Sequence, residues 1–62
     1  MNQEKIGKFI AECRKEKGLT QEELGEQLGT TSKSISRWEN GNTMPDISIY
    51  KDLANILDIS VI

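Results

Sequence analysis

The sequence predicts an all-α domain, and three observations lead to this prediction. Apolar residues recur every three or four positions in four successive segments of the 62-residue chain. Each segment starts at a residue that favours a helix N-cap. No stretch alternates apolar and polar residues for long enough to indicate a strand. A chain of this length is expected to form a single small domain, covering residues 1–62.

The first helix is expected to begin at Asn2, a favourable N-cap, and to end at about Lys17, because Gly18 is a stop signal. The chain has no histidine and one cysteine, so neither a metal site nor an internal disulfide is expected. Cys13 is interpreted as a small buried hydrophobic residue. The apolar face of this helix is expected to contain Ile6, Phe9, Ile10 and Cys13.

The second helix is expected to begin after Thr20 and to end at Gly29. Its start, TQEE, places Glu23 three residues after Thr20, which is the spacing of a capping box. Glu22 and Glu23 could suggest a catalytic carboxylate pair, but capping and the helix dipole account for both. Gly25 costs up to about 1 kcal/mol within a helix, so we expect another helix to approach closely there.

Two further helices follow. The third is expected to run from a Thr31 N-cap to about Trp38 or Glu39, before the C-terminal signal Asn-Gly at positions 40 and 41. The fourth is expected to follow Pro45, with Asp46 or Ser48 as its N-cap, and to end at about Leu57. Its inner face is expected to contain Ile49, Leu53, Ala54 and Leu57.

The third helix has two chemically different sides. At about 100° per residue, Thr31, Ile35 and Trp38 lie within roughly 60° of arc and are expected to be buried. The opposite side bears no acid, although the net charge of the chain is −2. A helix face that only meets water more often mixes charges, so we interpret this side as a contact surface. It carries Lys33, Ser36, Arg37 and Asn40.

Arg14 and Glu39 are expected to form a structural ion pair. Glu39 lies only about 40° from Ile35, on the flank of the buried side of the third helix. Arg14 has the same relation to the apolar face of the first helix. Because the planar guanidinium group binds a carboxylate through two hydrogen bonds, these opposite charges are expected to meet where the two helices pack.

Two short helices joined by a tight turn at Gly29 describe a helix-turn-helix at about residues 20–40. The segment LTQEELGEQLGTTSKSISRWENG resembles the helix-turn-helix of the lambda-repressor-like, or Xre/Cro, family of bacterial and phage transcriptional regulators. The likeness extends from about Ile6 through RKEKGLTQEEL to LANILDISV. It implies a compact bundle of four to five helices, the fifth starting near Ser60. The chain is therefore expected to be a DNA-binding domain, complete or the N-terminal part of a longer regulator.

The resemblance also implies roles for individual residues, with the recognition helix, at about residues 31–39, in the major groove. The residues that would contact bases are Ser32, Lys33, Ser36 and Arg37. The residues that would contact the DNA backbone are Gln21, Thr20, Asn40, Asn42 and Thr43. The segment from Asn40 to Thr43 would also use its backbone amides. The internal ion pair of the family corresponds to Arg14 and Glu39.

The chain departs from the family pattern at two positions. At Gly25 the family favours alanine, so this glycine should weaken the second helix. At Asp58 glycine is common, and the difference leaves the geometry of the turn after the fourth helix open. Neither position lies on the expected contact surface, so neither changes the expected function.

The expected function is sequence-specific binding of double-stranded DNA by a cytoplasmic transcriptional regulator, a repressor that acts as a homodimer on a near-palindromic operator. No enzymatic activity, cofactor, metal or membrane contact is expected. The negative net charge favours an alternative, a helix-turn-helix module that binds protein, such as an antitoxin-like partner or a regulator subunit. However, the acids concentrate on the second helix and in the C-terminal part, so the contact surface itself can be basic.

Overall fold

The computed structural model describes residues 2–59 and contains four α-helices there. They are α1 (Gln3–Glu16), α2 (Gln21–Leu28), α3 (Ser32–Glu39) and α4 (Ile47–Leu57). The all-α prediction is therefore confirmed, and the four helices occupy the predicted segments. The fifth helix that the family resemblance implies would begin near Ser60, outside the described residues. None of the helices in the described range has the length and apolar character needed to cross a membrane.

Polar side chains fix where the helices begin. The capping box of α2 is complete: the Glu23 N–H donates to Thr20 Oγ1 at 3.0 Å, and the Thr20 N–H donates to Glu23 Oε1 at 2.8 Å. Of the two candidates for the α4 cap, Asp46 takes the role, since its Oδ1 accepts the Ile49 N–H at 3.0 Å. The Ser48 hydroxyl donates to the same oxygen, and together these hydrogen bonds lower the pKa of the Asp46 carboxyl group.

All four helices contribute to one apolar core. Ile10, Leu24, Ile35 and Leu53, one from each helix, are at most 2% exposed. The predicted inner face of α4 is confirmed, with Ile49 partly buried and the other three residues buried. Cys13 of α1 and Trp38 of α3 also belong to the core. Two large side chains, Ile35 and Trp38, therefore fix the inner side of α3.

Two residues predicted on buried faces are exposed. Phe9 is 50% exposed because it lies about 100° around α1 from the fully buried Ile10, on the flank of the apolar stripe. Thr31 is exposed because it precedes α3 as its N-cap, where its hydroxyl oxygen accepts the Ser34 N–H at 3.2 Å. Helical periodicity alone therefore assigned both residues to the wrong environment, whereas the prediction of Thr31 as the N-cap of α3 is confirmed.

The turns after α2 and α4 both use left-handed backbone. Gly29 ends α2 with φ 73°, and the Thr30 N–H then donates to the Gly25 carbonyl at 2.8 Å. Asp58 ends α4 with φ 56°, so an aspartate adopts there the conformation that glycine adopts most easily. The departure from the family pattern at Asp58 therefore leaves the geometry of this turn unchanged.

Two glycines let the helices approach at backbone distance. A Cβ atom added to Gly7 would overlap the Trp38 carbonyl oxygen and lie 2.7 Å from that of Glu39. A Cβ atom added to Gly25 would lie 3.0 Å from the Thr30 carbonyl oxygen. A close approach was predicted at Gly25, but the neighbour is the turn before α3. The role of Gly7, which holds α1 against the C-terminal end of α3, was not predicted.

We expect Gly7→Ala to lower the free energy of unfolding by about 1–3 kcal/mol, because the new methyl group overlaps backbone that has no room to move. This loss would occur although alanine favours helix over glycine by about 1 kcal/mol. Urea unfolding followed by Trp38 fluorescence measures the change. Lys8→Ala, at the exposed neighbouring position, is the control and should change stability by less than about 0.5 kcal/mol. A Gly7→Ala variant as stable as the parent chain would contradict this packing.

Candidate nucleic-acid interface

The outer side of α3 carries the residues that the sequence predicts as base contacts. Ser32, Lys33 and Arg37 are exposed, and Ser36 is partly buried. On the opposite side, Ile35 and Trp38 are 0% and 6% exposed. The core therefore fixes both the position of α3 and its rotation about its own axis, with the two cations directed away from the protein.

Lys33 and Arg37 lie one helical turn apart, about 6 Å along the axis of α3. Hydroxyl, ammonium and guanidinium groups can all donate hydrogen bonds, and base edges in the major groove present acceptor atoms. The groove is wide enough to admit an α-helix. The outer side of α3 therefore has the size and the donor chemistry of a groove-binding helix.

The single acid of α3, Glu39, is held inside the protein by Arg14. Arg14 Nε donates to Glu39 Oε2 at 2.7 Å, and Arg14 Nη2 donates to Oε1 at 3.1 Å. The two side chains are only 11% and 7% exposed. The hydrogen bonds that Arg14 donates to Glu39 raise the pKa of the Arg14 guanidinium above its usual value, so Arg14 remains a cation although it is buried.

Arg14 and Glu39 each have a further partner at the start of α2. Arg14 Nη1 donates to the Leu19 carbonyl oxygen at 2.8 Å, and Gln21 Nε2 donates to Glu39 Oε1 at 2.9 Å. The bond between Gln21 and Glu39 was not predicted, because no periodicity relates positions on two different helices. These four residues link α1, the start of α2 and the end of α3, and we refer to them as the Arg14 network.

The Arg14 network orients Gln21, a predicted contact of the DNA backbone. The side-chain amide carries two N–H donors and a carbonyl acceptor, and Glu39 takes one donor. The second donor forms no hydrogen bond within residues 2–59 and is available to a ligand. A shallow pocket of about 440 Å³ brings Gln21 together with two other predicted contacts, Thr20 and Ser32. The predicted backbone contacts at the start of α2 therefore adjoin a predicted base contact at the start of α3.

The other predicted backbone contacts follow α3, where Asn40, Asn42 and Thr43 are exposed. The resemblance implied that the backbone amides of this segment also hold phosphates. The structure uses these amides within the protein: the N–H groups of residues 40–43 donate to carbonyl oxygens of α3 at 2.9–3.5 Å. They complete the C-terminal cap of α3, so contacts between this segment and a ligand would come from the three side chains.

Cys13 offers no alternative chemistry. Burial raises the pKa of its thiol, and the negative charges of Glu16 and Glu12 raise it further. A thiol in this state is protonated at neutral pH and is a poor nucleophile. Within residues 2–59, no group of three or more histidine, cysteine, aspartate or glutamate residues could hold a metal ion.

Together, the turn at Gly29 and the outward-facing polar side of α3 define a helix-turn-helix domain. The model of the helix-turn-helix family matches residues 10–62, and the chain belongs to this family, in its Xre/Cro, lambda-repressor-like branch. Its relatives are helix-turn-helix transcriptional regulators, which are not enzymes, so the predictions of family and of non-enzymatic character are confirmed. The chain is thus a DNA-binding domain of the transcriptional-regulator class.

Similar proteins include one of known structure, the restriction-modification controller protein C.AhdI from Aeromonas hydrophila. It matches with a TM-score of 0.84 and 32% identity, over 92% of this chain and 83% of that one. The HTH-type transcriptional regulator YazB of Bacillus subtilis (strain 168) is 38% identical over 60 residues, which is 97% of this chain and 87% of YazB. YqaE of the same organism is 36% identical over 52 residues, 84% of this chain. The match spans only 45% of YqaE, so some relatives are about twice as long.

Glu39→Gln is expected to lower the free energy of unfolding by about 3 kcal/mol or more, because it leaves the Arg14 charge buried without its partner. Thermal and urea unfolding monitored by circular dichroism measure this change. The double variant Arg14→Met with Glu39→Met is the matched control. Its free energy of unfolding should fall less than that of Glu39→Gln alone, since it leaves no unpaired charge buried. A Glu39→Gln variant that kept its stability but lost all DNA binding would contradict the structural role.

Proposed function

We propose that the domain binds double-stranded DNA with α3 in the major groove and that it represses transcription as a homodimer. The observation that carries this proposal is the outer side of α3, which presents Lys33 and Arg37 without any acid. The Arg14 network and the core hold this side in a fixed orientation, which lowers the entropy lost when it binds a groove.

The residues of the interface divide into two kinds of contact. The Arg37 guanidinium can donate two hydrogen bonds to O6 and N7 of a guanine, and Lys33 can approach the same acceptors. Ser32 and Ser36 have hydroxyl groups that suit either a base edge or a phosphate. Contacts from the start of α2 and from the segment after α3 would fix the domain on the backbone without discriminating sequence. They would come from Gln21, Thr20, Asn40, Asn42 and Thr43.

The small number of cations at this interface favours binding as a pair. Lys33 and Arg37 can neutralise few phosphates, so one domain alone should bind non-specific DNA weakly. Two domains related by a two-fold axis place their recognition helices about 34 Å apart and contact two half-sites of a near-palindrome. Repression requires only that such a dimer occupy promoter DNA and exclude the transcription machinery. This role places the protein in the bacterial cytoplasm, where the DNA is.

A protein-binding role is the second candidate. It is favoured by the net charge of −2 and by two apolar side chains on the surface, Phe9 and Ile47, which are 50% and 81% exposed. The two roles differ in their dependence on salt, because binding to duplex DNA releases counterions and binding through apolar groups does not. A module that binds only protein would show no affinity for duplex DNA at any ionic strength.

We expect the affinity for a mixed-sequence duplex to fall steeply between about 50 and 200 mM salt, because contacts with phosphates release bound cations. Fluorescence anisotropy with a labelled duplex measures this dependence. Replacing both Lys33 and Arg37 by alanine should flatten it. The matched control replaces Lys8 and Lys51, two exposed cations on α1 and α4, and should change it less. Equal effects of the two double variants would contradict the assignment of α3 as the contact surface.

On the preferred duplex, Arg37→Ala is expected to cost about 1–3 kcal/mol of binding free energy and to relax the preference at one base pair. Gln21→Ala should instead weaken binding to all sequences by a similar factor, since a phosphate contact carries no sequence information. Parallel titrations of the preferred duplex and of its single-base variants measure both effects. If Arg37→Ala lost the same binding free energy on all the duplexes, Arg37 would contact only the DNA backbone.

A further inference from the structure

The first turn of α1 lies beside the segment that follows α3. A Cβ atom added to Gly41 would lie 3.0 Å from both Cα and Cγ of Glu4. This Cβ atom would be bonded to Gly41 Cα, and the Glu4 carboxylate carbon is bonded to Cγ. With about 1.5 Å for each of these two bonds, the carboxylate carbon lies within roughly 6 Å of the Gly41 Cα atom. Glu4 is exposed, as are Asn42 and Thr43 next to Gly41. An exposed acid therefore lies at the edge of the candidate interface, beside two of its predicted backbone contacts.

Within the described part of the chain no cation forms an ion pair with Glu4, and this includes Lys5 and Lys8 on the same helix. Residues 40–44 include no lysine or arginine. The two ion pairs in the described part of the chain join Arg14 to Glu39 and Lys17 to Asp58, so neither involves Glu4. The C-terminal end of α3, which carries the negative end of the helix dipole, lies next to the same segment. Because the positive end of the α1 dipole also lies here, the feature that distinguishes this edge from the outer side of α3 is the exposed acid Glu4.

The Glu4 carboxylate is not needed to start α1. Asn2 is the N-cap, and its Oδ1 accepts the backbone N–H of Glu4 at 2.8 Å. An acid in the first turn is favoured by the helix dipole, but a neutral glutamine with the same stem would leave the cap intact. The fold therefore tolerates the loss of this charge, and an effect of the charge on binding can be measured separately.

We infer that Glu4 is a repulsive determinant of DNA binding, which weakens the attraction of this edge for phosphates. The inference rests on the proposed DNA-binding function. A phosphate held by Asn42 or Thr43 would lie on the order of 10 Å from the carboxylate, which is close to the screening length at physiological salt. Every duplex presents phosphates there, so the repulsion lowers affinity for all sequences. Stable binding then requires the additional base contacts of a matching site.

The test compares Glu4→Gln with Glu12→Gln in titrations of a labelled mixed-sequence duplex at low salt. Both substitutions remove one exposed negative charge from α1, but Glu12 lies about 12 Å further along the helix axis. We expect Glu4→Gln to bind about two- to five-fold more tightly than the parent chain and Glu12→Gln to change affinity less. The difference should vanish towards 1 M salt, where the screening length is about 3 Å.

Two further variants separate charge from shape. Glu4→Asp keeps the charge and should bind as the parent chain does. Glu4→Lys should steepen the dependence of log affinity on log salt by up to about 0.9, the effect of one additional neutralised phosphate. If Glu4→Gln and Glu12→Gln bound equally well, or if Glu4→Asp gained as much as Glu4→Gln, the role of Glu4 would be overturned while DNA binding stood. If no variant bound duplex although all were folded by circular dichroism, the proposed function itself would fail.

Discussion

The ion pair between Arg14 and Glu39 and its further hydrogen bonds join α1, the start of α2 and the end of α3 at one point. The pair lies almost fully buried where α1 crosses the end of α3, and its remaining hydrogen bonds reach Leu19 and Gln21 at the start of α2. A buried charge pair is costly to desolvate and adds little stability over an apolar pair of the same size. Its main effect is to fix the positions of α1, α2 and α3 relative to one another at one point. The small core, with one or two large residues from each helix, then fills the space that remains.

The same ion pair determines the electrostatics of the interface. Because Arg14 and Gln21 bind both carboxylate oxygens of Glu39, the one acid of α3 does not reach its outer side. The cations Lys33 and Arg37 are consequently unopposed on that helix, although the chain as a whole is acidic. The segment after α3 is different: its backbone amides are used within the protein, and Glu4 lies beside it. The candidate interface thus has two exposed cations at its centre and an exposed acid at its edge.

Sequence reasoning recovered the helices because their start and stop signals are local: each cap involves residues two to four positions apart. It also placed Arg14 and Glu39 together, since each lies on the flank of a face that has to be buried. The helical wheel failed for Phe9, which lies on the flank of the apolar stripe of α1, and for Thr31, which precedes α3 as its N-cap. The bond from Gln21 to Glu39 and the contacts of Gly7 and Gly41 depend on how helices pack in three dimensions. No pattern along the chain encodes the bond from Gln21 or the contact of Gly41, whereas Gly7, a glycine inside a helix, gives the same signal that predicted the close approach at Gly25.

We propose that the outer side of α3 distinguishes DNA sequences, and selection from a library of random duplexes measures this preference. We expect the domain to enrich one short half-site and a dimerised form to enrich two copies with their centres about one helical turn apart. Folded protein that enriched no motif, either as this chain or as a dimerised form, would contradict the claim. The domain would then have to be regarded as a helix-turn-helix that binds another protein.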